Sequence, residues 1–147
     1  MAEHNIIGQK GEEIACDTMR KKGFRVVDTN WKFGHLEMDV IAVNRKEIVF
    51  VEVKTRTTSF GDKRPEEYVD ELKRRRMAAA ANAYIKVHQL ELVPRFDIIG
   101  ISMDPNTYEV KELTHLEDAF LPPQRTIGKS SFSGQGRWKH RGRVIGK

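Results

Sequence analysis

The stretch LEMDVIAVNRKEIVFVEVKTR, Leu36 to Arg56, decides how this chain folds. Ile48, Val49, Phe50, Val51 and Val53 form a short, nearly continuous β-branched and aromatic run, the pattern of a strand covered on both faces. Leu36 to Val43 is a second such segment. Only Asn44, Arg45 and Lys46 separate it from Glu47 to Arg56, which predicts a tight hairpin. If the strands close around Arg45 and Lys46, Asn44 faces Glu47, Val43 faces Ile48 and Asp39 faces Glu52. Side chains directly opposite in an antiparallel pair lie about 4.5–5.5 Å apart. Lys54 follows two residues after Glu52 and shares its face of the strand. A loop of different length would shift the parity and scatter the three. Two carboxylates at that distance repel unless a cation sits between them, and burial worsens the repulsion.

Outward from the hairpin, the other elements follow from period and punctuation. Residues 4 to 22 place Ile7, Gly11, Ile14, Ala15, Thr18 and Met19 on one helical stripe, and Gly23 stops it. Residues 24 to 30 read as a short strand. Residues 65 to 88 open with Pro65, Glu66 and Glu67, suited to a first helical turn, and continue through an alanine-rich helix. Residues 95 to 102 form a further buried strand; after the turn at Asp104, Pro105 and Asn106, residues 107 to 113 form an edge strand. The order α-β-β-β-α-β-β predicts an α/β sandwich, not a doubly wound sheet.

A chain of 147 residues accommodates one domain with a sizeable core. The boundary is expected near Leu121, giving a domain over 1–120 and a tail over 121–147. Seven of the 26 basic residues lie in the tail and none of the acidic ones do, which leaves 19 basic against 21 acidic in the body. The net charge of +5 is therefore the tail's, and any basic groove on the body must be local. The tail is rich in Gly, Ser and Pro, without hydrophobic period, and reads as disordered. It is either an arm gripping phosphates through Arg137 and Arg141, with Phe132 and Trp138 to stack on bases, or a solvated terminus. No apolar run approaches a membrane span, and the opening residues lack a signal peptide's apolar core, so the expected location is the cytoplasm. The lone Cys16 excludes an internal disulfide, agrees with a reducing compartment, and is expected in the core.

An all-oxygen carboxylate site suits Mg²⁺ or Mn²⁺. A metal so held lowers the pKa of a bound water and neutralises a phosphate oxygen, and a lysine beside it stabilises developing charge. The chemistry these residues point to is phosphodiester hydrolysis.

An Asp on one strand and Glu-x-Lys on the next resembles the PD-(D/E)xK restriction-endonuclease-like superfamily, whose α-β-β-β-α-β core carries a mixed sheet flanked by helices. More closely, residues 8–42, 49–56, 60–85 and 95–101 resemble the YraN-like family of uncharacterised bacterial proteins, regarded as predicted endonucleases and distantly similar to archaeal Holliday junction resolvases. The resemblance covers residues 4 to 120; Asp39 follows Met38 where the superfamily often has Pro. It implies metal ligation by Asp39 and Glu52 with the Val53 carbonyl, and a catalytic role for Lys54. It also points to Glu12, which matches a Gly-x-x-Gly-Glu motif at Gly8, Gly11 and Glu12. At 100° per residue Glu12 lies on the edge of the sheet-facing stripe, whereas Glu13 points to solvent.

The implied partner is nucleic acid, DNA in the first instance and branched DNA by analogy, with a symmetric homodimer matching the two cut sites of a junction. The alternative is a non-catalytic nucleic-acid-binding or assembly module that relies on the tail. Glu37 shares a strand face with Asp39 and is an outer metal ligand or a loop cap. Lys73 and Arg76 on the second helix, and Arg56 ending the strand, are candidates for phosphates, although a basic helix face is ordinarily solvated. Trp31 and Phe33 either stack on a base or cover the end of the sheet. Asp97 is expected to be a structural polar residue, and His35, His88 and His115 have no ligand spacing.

Overall fold

Helix α1 spans Ala2–Lys21 and ends as the glycine signal predicts. Gly23 adopts φ +95°, the Gly23 amide donates to the Arg20 carbonyl at 3.0 Å, and the Phe24 amide to the Met19 carbonyl at 3.1 Å. A residue with a Cβ would be strained there. The computed structural model describes residues 2–59, 61, 67 and 69–121, with side chains from Ile6 onward.

Five strands follow: β1 Arg25–Phe33, β2 Leu36–Val43, β3 Glu47–Arg56, β4 Val93–Met103 and β5 Val110–Leu116. Helix α2, Glu71–Val87, lies between β3 and β4. The sheet runs β1-β2-β3-β4-β5, with β3 and β4 parallel and every other pair antiparallel. The expected mixed sheet flanked by helices is therefore present. On one face α1 supplies Ala15, Cys16 and Met19 to a core with Val40, Ala42, Val49, Val51, Ile99 and Ile101. On the other, α2 supplies Met77, Ala81, Tyr84 and Ile85 against Ile41, Ile48, Phe50, Phe96 and Ile98. Because β3 and β4 are covered on both sides, they carry the apolar runs that mark them in the sequence. No described helix is long and apolar enough to cross a membrane.

The hairpin register is the expected one: Val43 pairs with Ile48 and the ladder runs to Val40 and Val51. Asn44 holds the turn, accepting from the amides of Lys46 at 2.9 Å and Glu47 at 2.7 Å. Elsewhere boundaries differ. Helix α2 starts at Glu71, later than the expected residue 65, because Asp70 caps it by accepting from the Lys73 amide at 2.9 Å. Of the residues read as its first turn, Pro65 and Glu66 lie outside the described residues and Glu67 precedes the helix. Strand β1 extends beyond residue 30 because Trp31, Lys32 and Phe33 pair with Met38, Glu37 and Leu36. Strand β5 starts at Val110 because the turn after Asp104 also consumes Thr107 to Glu109, with Asp104 accepting from the Asn106 and Thr107 amides. The tail from residue 122 lies outside the described residues.

Helix α1 and strand β3 meet tightly at Gly11. A Cβ built there would collide with the Thr55 hydroxyl and stand 3.0 Å from its Cγ2 and 3.2 Å from its Cβ. Gly11→Ala is expected to destabilise the fold by about 1–3 kcal/mol despite alanine's better helix propensity. Urea unfolding of Gly11→Ala alone and with Thr55→Ala checks this, since the second change should return most of the loss.

Candidate functional site

Alternation along β2 fails once. Leu36, Met38 and Ile41 pack in the α2 layer, whereas Val40 and Ala42 pack in the α1 layer. Asp39 sits where the strand changes face. Across β1, Asn30 has φ +53°, a conformation that Asn tolerates better than most residues. On the other side the β2–β3 ladder stops at Val40 and Val51, so Asp39 and Glu52 form the next register position beyond its end. Asp39 replaces the missing ladder partner: its Oδ2 accepts from the Val53 amide at 2.8 Å.

Asp39 and Glu52 thus come together as the hairpin ruler predicts. Glu52 is only 5% exposed. Burial, followed by the charge of Glu52, pushes the Asp39 carboxyl from 3.8 up to about 7, against the lowering effect of the Val53 amide. A cation does touch the pair, and it comes from α2: Lys73 Nζ lies 3.2 Å from Glu52 Oε2. The Asp70 cap that starts α2 also sets the turn on which Lys73 stands. The sequence offers Lys73 as a candidate for phosphates; in the structure it lies on a site carboxylate. Lys54 is half-buried two residues beyond Glu52 on β3.

Glu12 reaches the same neighbourhood from α1. Its Oε1 accepts from Asn30 Nδ2 at 3.0 Å. Burial raises its pKa from the ordinary glutamate value, against the Asn30 bond, with the charge of Glu37 adding to the rise. Its charge acts in turn on Asp39. Glu37 itself is exposed on β2. Asn30 was missed in the sequence. The signal that could have found it was an asparagine, tolerant of positive φ, opposite the proposed ligand.

In donor type and charge the group fits a hard divalent cation: a buried and a half-buried carboxylate whose mutual repulsion a single ammonium, Lys73 on Glu52, offsets in part. Among the described residues no three Asp, Glu, His or Cys side chains are drawn together tightly enough to close around a metal. A two-carboxylate site agrees with Mg²⁺ chemistry, since that ion keeps several waters and is commonly held by one or two carboxylates.

The remaining candidates disperse. Trp31 lies half-buried with its ring at 5.0 Å and 90° to Tyr84, and stacks at 6.0 Å on Phe33. It therefore closes the end of the α2-side core. Arg76, with Phe33 and His35, lines a shallow cavity of about 170 Å³. Arg56 lines a larger cavity at the end of β3. Arg137, Trp138 and Arg141 lie outside the described residues.

A second charged cluster occupies the other end of α1. Asp97, fully buried, accepts from Arg95 Nε and Nη2, each at 2.8 Å, and from the Asp118 amide at 2.9 Å. His115 Nε2 lies 2.7 Å from it. Lys22 Nζ is 2.8 Å from His115 Nδ1, and Arg95 also reaches Glu47 at 3.1 Å. His115 thus bridges Lys22 and Asp97 through its two ring nitrogens. Asp97 is structural, as expected. His115, without ligand spacing in the sequence, has a structural place: β5 runs on to Leu116, beyond the expected residue 113, and sets it on Asp97.

Comparison with known proteins adds relatives. The profile of the uncharacterised protein family UPF0102 matches residues 11–101. A UPF0102 protein of Bacteroides thetaiotaomicron is 39% identical over 123 residues, covering 84% of this chain and 98% of the relative. One of Parabacteroides distasonis is 41% identical over 125 residues, covering 85% and 100%. One of Flavobacterium psychrophilum is 38% identical over 121 residues, covering 82% and 98%.

Proposed function

Because this chain belongs to the uncharacterised protein family UPF0102, we propose its function from its own site: a metal-dependent nuclease that hydrolyses phosphodiester bonds in DNA. The observation that carries this is the Asp39–Glu52 pair, half-buried and buried in turn, set where β2 and β3 part and approached by Glu12 from one helix and Lys73 from the other. A like-charge pair under cover costs stability, and such costs gather where chemistry needs them. The likeness of Asp39, Glu52-x-Lys54 and the element order to PD-(D/E)xK nucleases, distantly including junction resolvases, supports the same reading.

Asp39, Glu52 and the Val53 carbonyl would hold Mg²⁺ or Mn²⁺. When bound, such an ion lowers the pKa of a coordinated water and offsets charge on a phosphate oxygen. Glu12, with its raised pKa, would take the proton of the attacking water. Lys54 would set its ammonium against the phosphate oxygens as charge builds on them. Lys73 neutralises Glu52 in the metal-free state. The lone, buried Cys16 suits a cytoplasmic location. On a branched substrate the enzyme would act as a two-fold dimer, one site per scissile strand.

The test is a titration of Mg²⁺ and Mn²⁺ into the full chain, with cleavage of linear, flapped and four-way-junction DNA followed in the same samples. Saturable metal binding with cleavage that chelation stops is the expected result. Metal binding with no cleavage of any substrate would overturn the nuclease and leave a nucleic-acid-binding module.

A further inference from the structure

Among the described residues nothing in the packing requires Gly8 to be glycine. It lies inside α1, where glycine is disfavoured relative to alanine, and a Cβ built on it would meet no described atom within 4 Å. This sets it apart from Gly11, which Thr55 requires. The space beside Gly8 is a cavity of about 460 Å³, bounded by Ile7 and Gly8 on α1 and by the run Val53–Thr58 at the end of β3. Its size is that of a ligand site, well beyond a single ion.

The lining specifies the ligand. Among the described residues it holds two cations, Lys54 and Arg56, the threonines 55, 57 and 58, and no carboxylate or aromatic ring. Cations and hydroxyls without aromatics suit the sugar–phosphate backbone of a nucleic acid strand and give bases nothing to stack on. The groove shares Val53 with the carboxylate site, since the amide that bonds Asp39 belongs to a residue of its wall. A strand lying in it would run directly onto the reacting phosphate. The approach of the body is otherwise unfavourable to an anion, because residues 1–120 are acidic on balance.

We propose that the groove between Gly8 of α1 and Val53–Thr58 of β3 is the subsite for the DNA backbone flanking the scissile phosphate, with Gly8 kept small so that the strand can approach the helix. This rests on the nuclease reading for its substrate. Binding is nevertheless measurable without cleavage.

The experiment measures binding of a short fluorescent duplex to the full chain in metal-free buffer, over a range of salt, for wild type, Gly8→Leu and Thr57→Glu. Gly8→Leu fills the groove at a position favourable to helix, and Thr57→Glu puts a negative charge at an exposed position, so both are expected to melt like wild type. Each should weaken binding about tenfold, and Thr57→Glu should lower the slope of log affinity against log salt by about one. The Mn²⁺ titration should be unchanged. Wild-type affinity in both folded variants would overturn the subsite, while the nuclease would stand if wild type cleaves. Weakened binding in both, beside a wild type that cleaves nothing, would keep the groove as a DNA site and remove the nuclease.

Discussion

Asp39→Asn is expected to lose DNA cleavage by about a thousandfold or more, the scale set by losing a group that acts only in the transition state, and to make the metal-free protein more stable. The two effects share one cause. In the folded chain burial first and then Glu52 push the Asp39 carboxyl from 3.8 up to about 7. A carboxylate whose folded pKa is raised binds its proton more tightly folded than unfolded. Its contribution is therefore fully present below about pH 4 and is lost as pH rises through 7. By pH 8 wild type has given up on the order of 2 kcal/mol, less than the full shift implies because the paired carboxylates relax together. Asparagine carries no charge to bury, and its amide oxygen still accepts from the Val53 amide. Urea unfolding at pH 5 and pH 8 without metal should show wild type losing stability between the two and the variant holding level. Adding Mn²⁺ should then stabilise wild type at pH 8, by about 2.7 kcal/mol at a hundred times its dissociation constant, and leave the variant nearly unmoved. A variant less stable than wild type at pH 8 would mean that Asp39 serves the fold and would remove the main support for a functional site.

Asp97→Ala is expected to destabilise by about 3–5 kcal/mol, because it strips the carboxylate from Arg95 and His115 and leaves a largely buried guanidinium without its bidentate partner. Its pH signature has the opposite sign to that of Asp39. Burial alone would raise the Asp97 carboxyl, but His115, Arg95 and the Asp118 amide together hold it below its usual value. Its contribution is present above about pH 4 and lost as pH falls further through the depressed folded value. Acid unfolding of wild type should therefore fall away below pH 4, and Asp97→Ala should flatten that limb. Metal affinity measured at a temperature where the variant stays folded should match wild type, since the network lies at the far end of α1. A loss below about 1 kcal/mol would show that Arg95 finds adequate partners in Glu47 and Glu117.

The hairpin shows what could be read locally and where that reading stopped. Asn44 closes the turn with its own side chain, so loop length and register follow from a few adjacent residues. Asp39 opposite Glu52 followed from counting back along that register. The opening of the ladder at that point did not follow: there Asp39 accepts from the Val53 amide with its side chain, and Asn30 on the neighbouring strand turns left-handed. The start of α2 shows the same limit: Pro65, Glu66 and Glu67 compose a good first turn, yet Asp70 supplies the cap that is made.

By itself the sequence determined the element order, the buried central strands, the β2–β3 register and with it the Asp39–Glu52 pair. Each rests on the twofold strand period, the helical period or a short turn, and those operate over a few residues. Tertiary structure alone decided that Lys73 lies on Glu52, that Asn30 holds Glu12, that Gly11 admits Thr55, and that His115 joins Arg95 on Asp97. These contacts join elements whose separation in sequence leaves their docking to the packing of two helices on opposite faces of the sheet. A helix can turn or slide on a sheet while keeping its own pattern of apolar residues, so only the packed core sets which polar side chains meet at its ends.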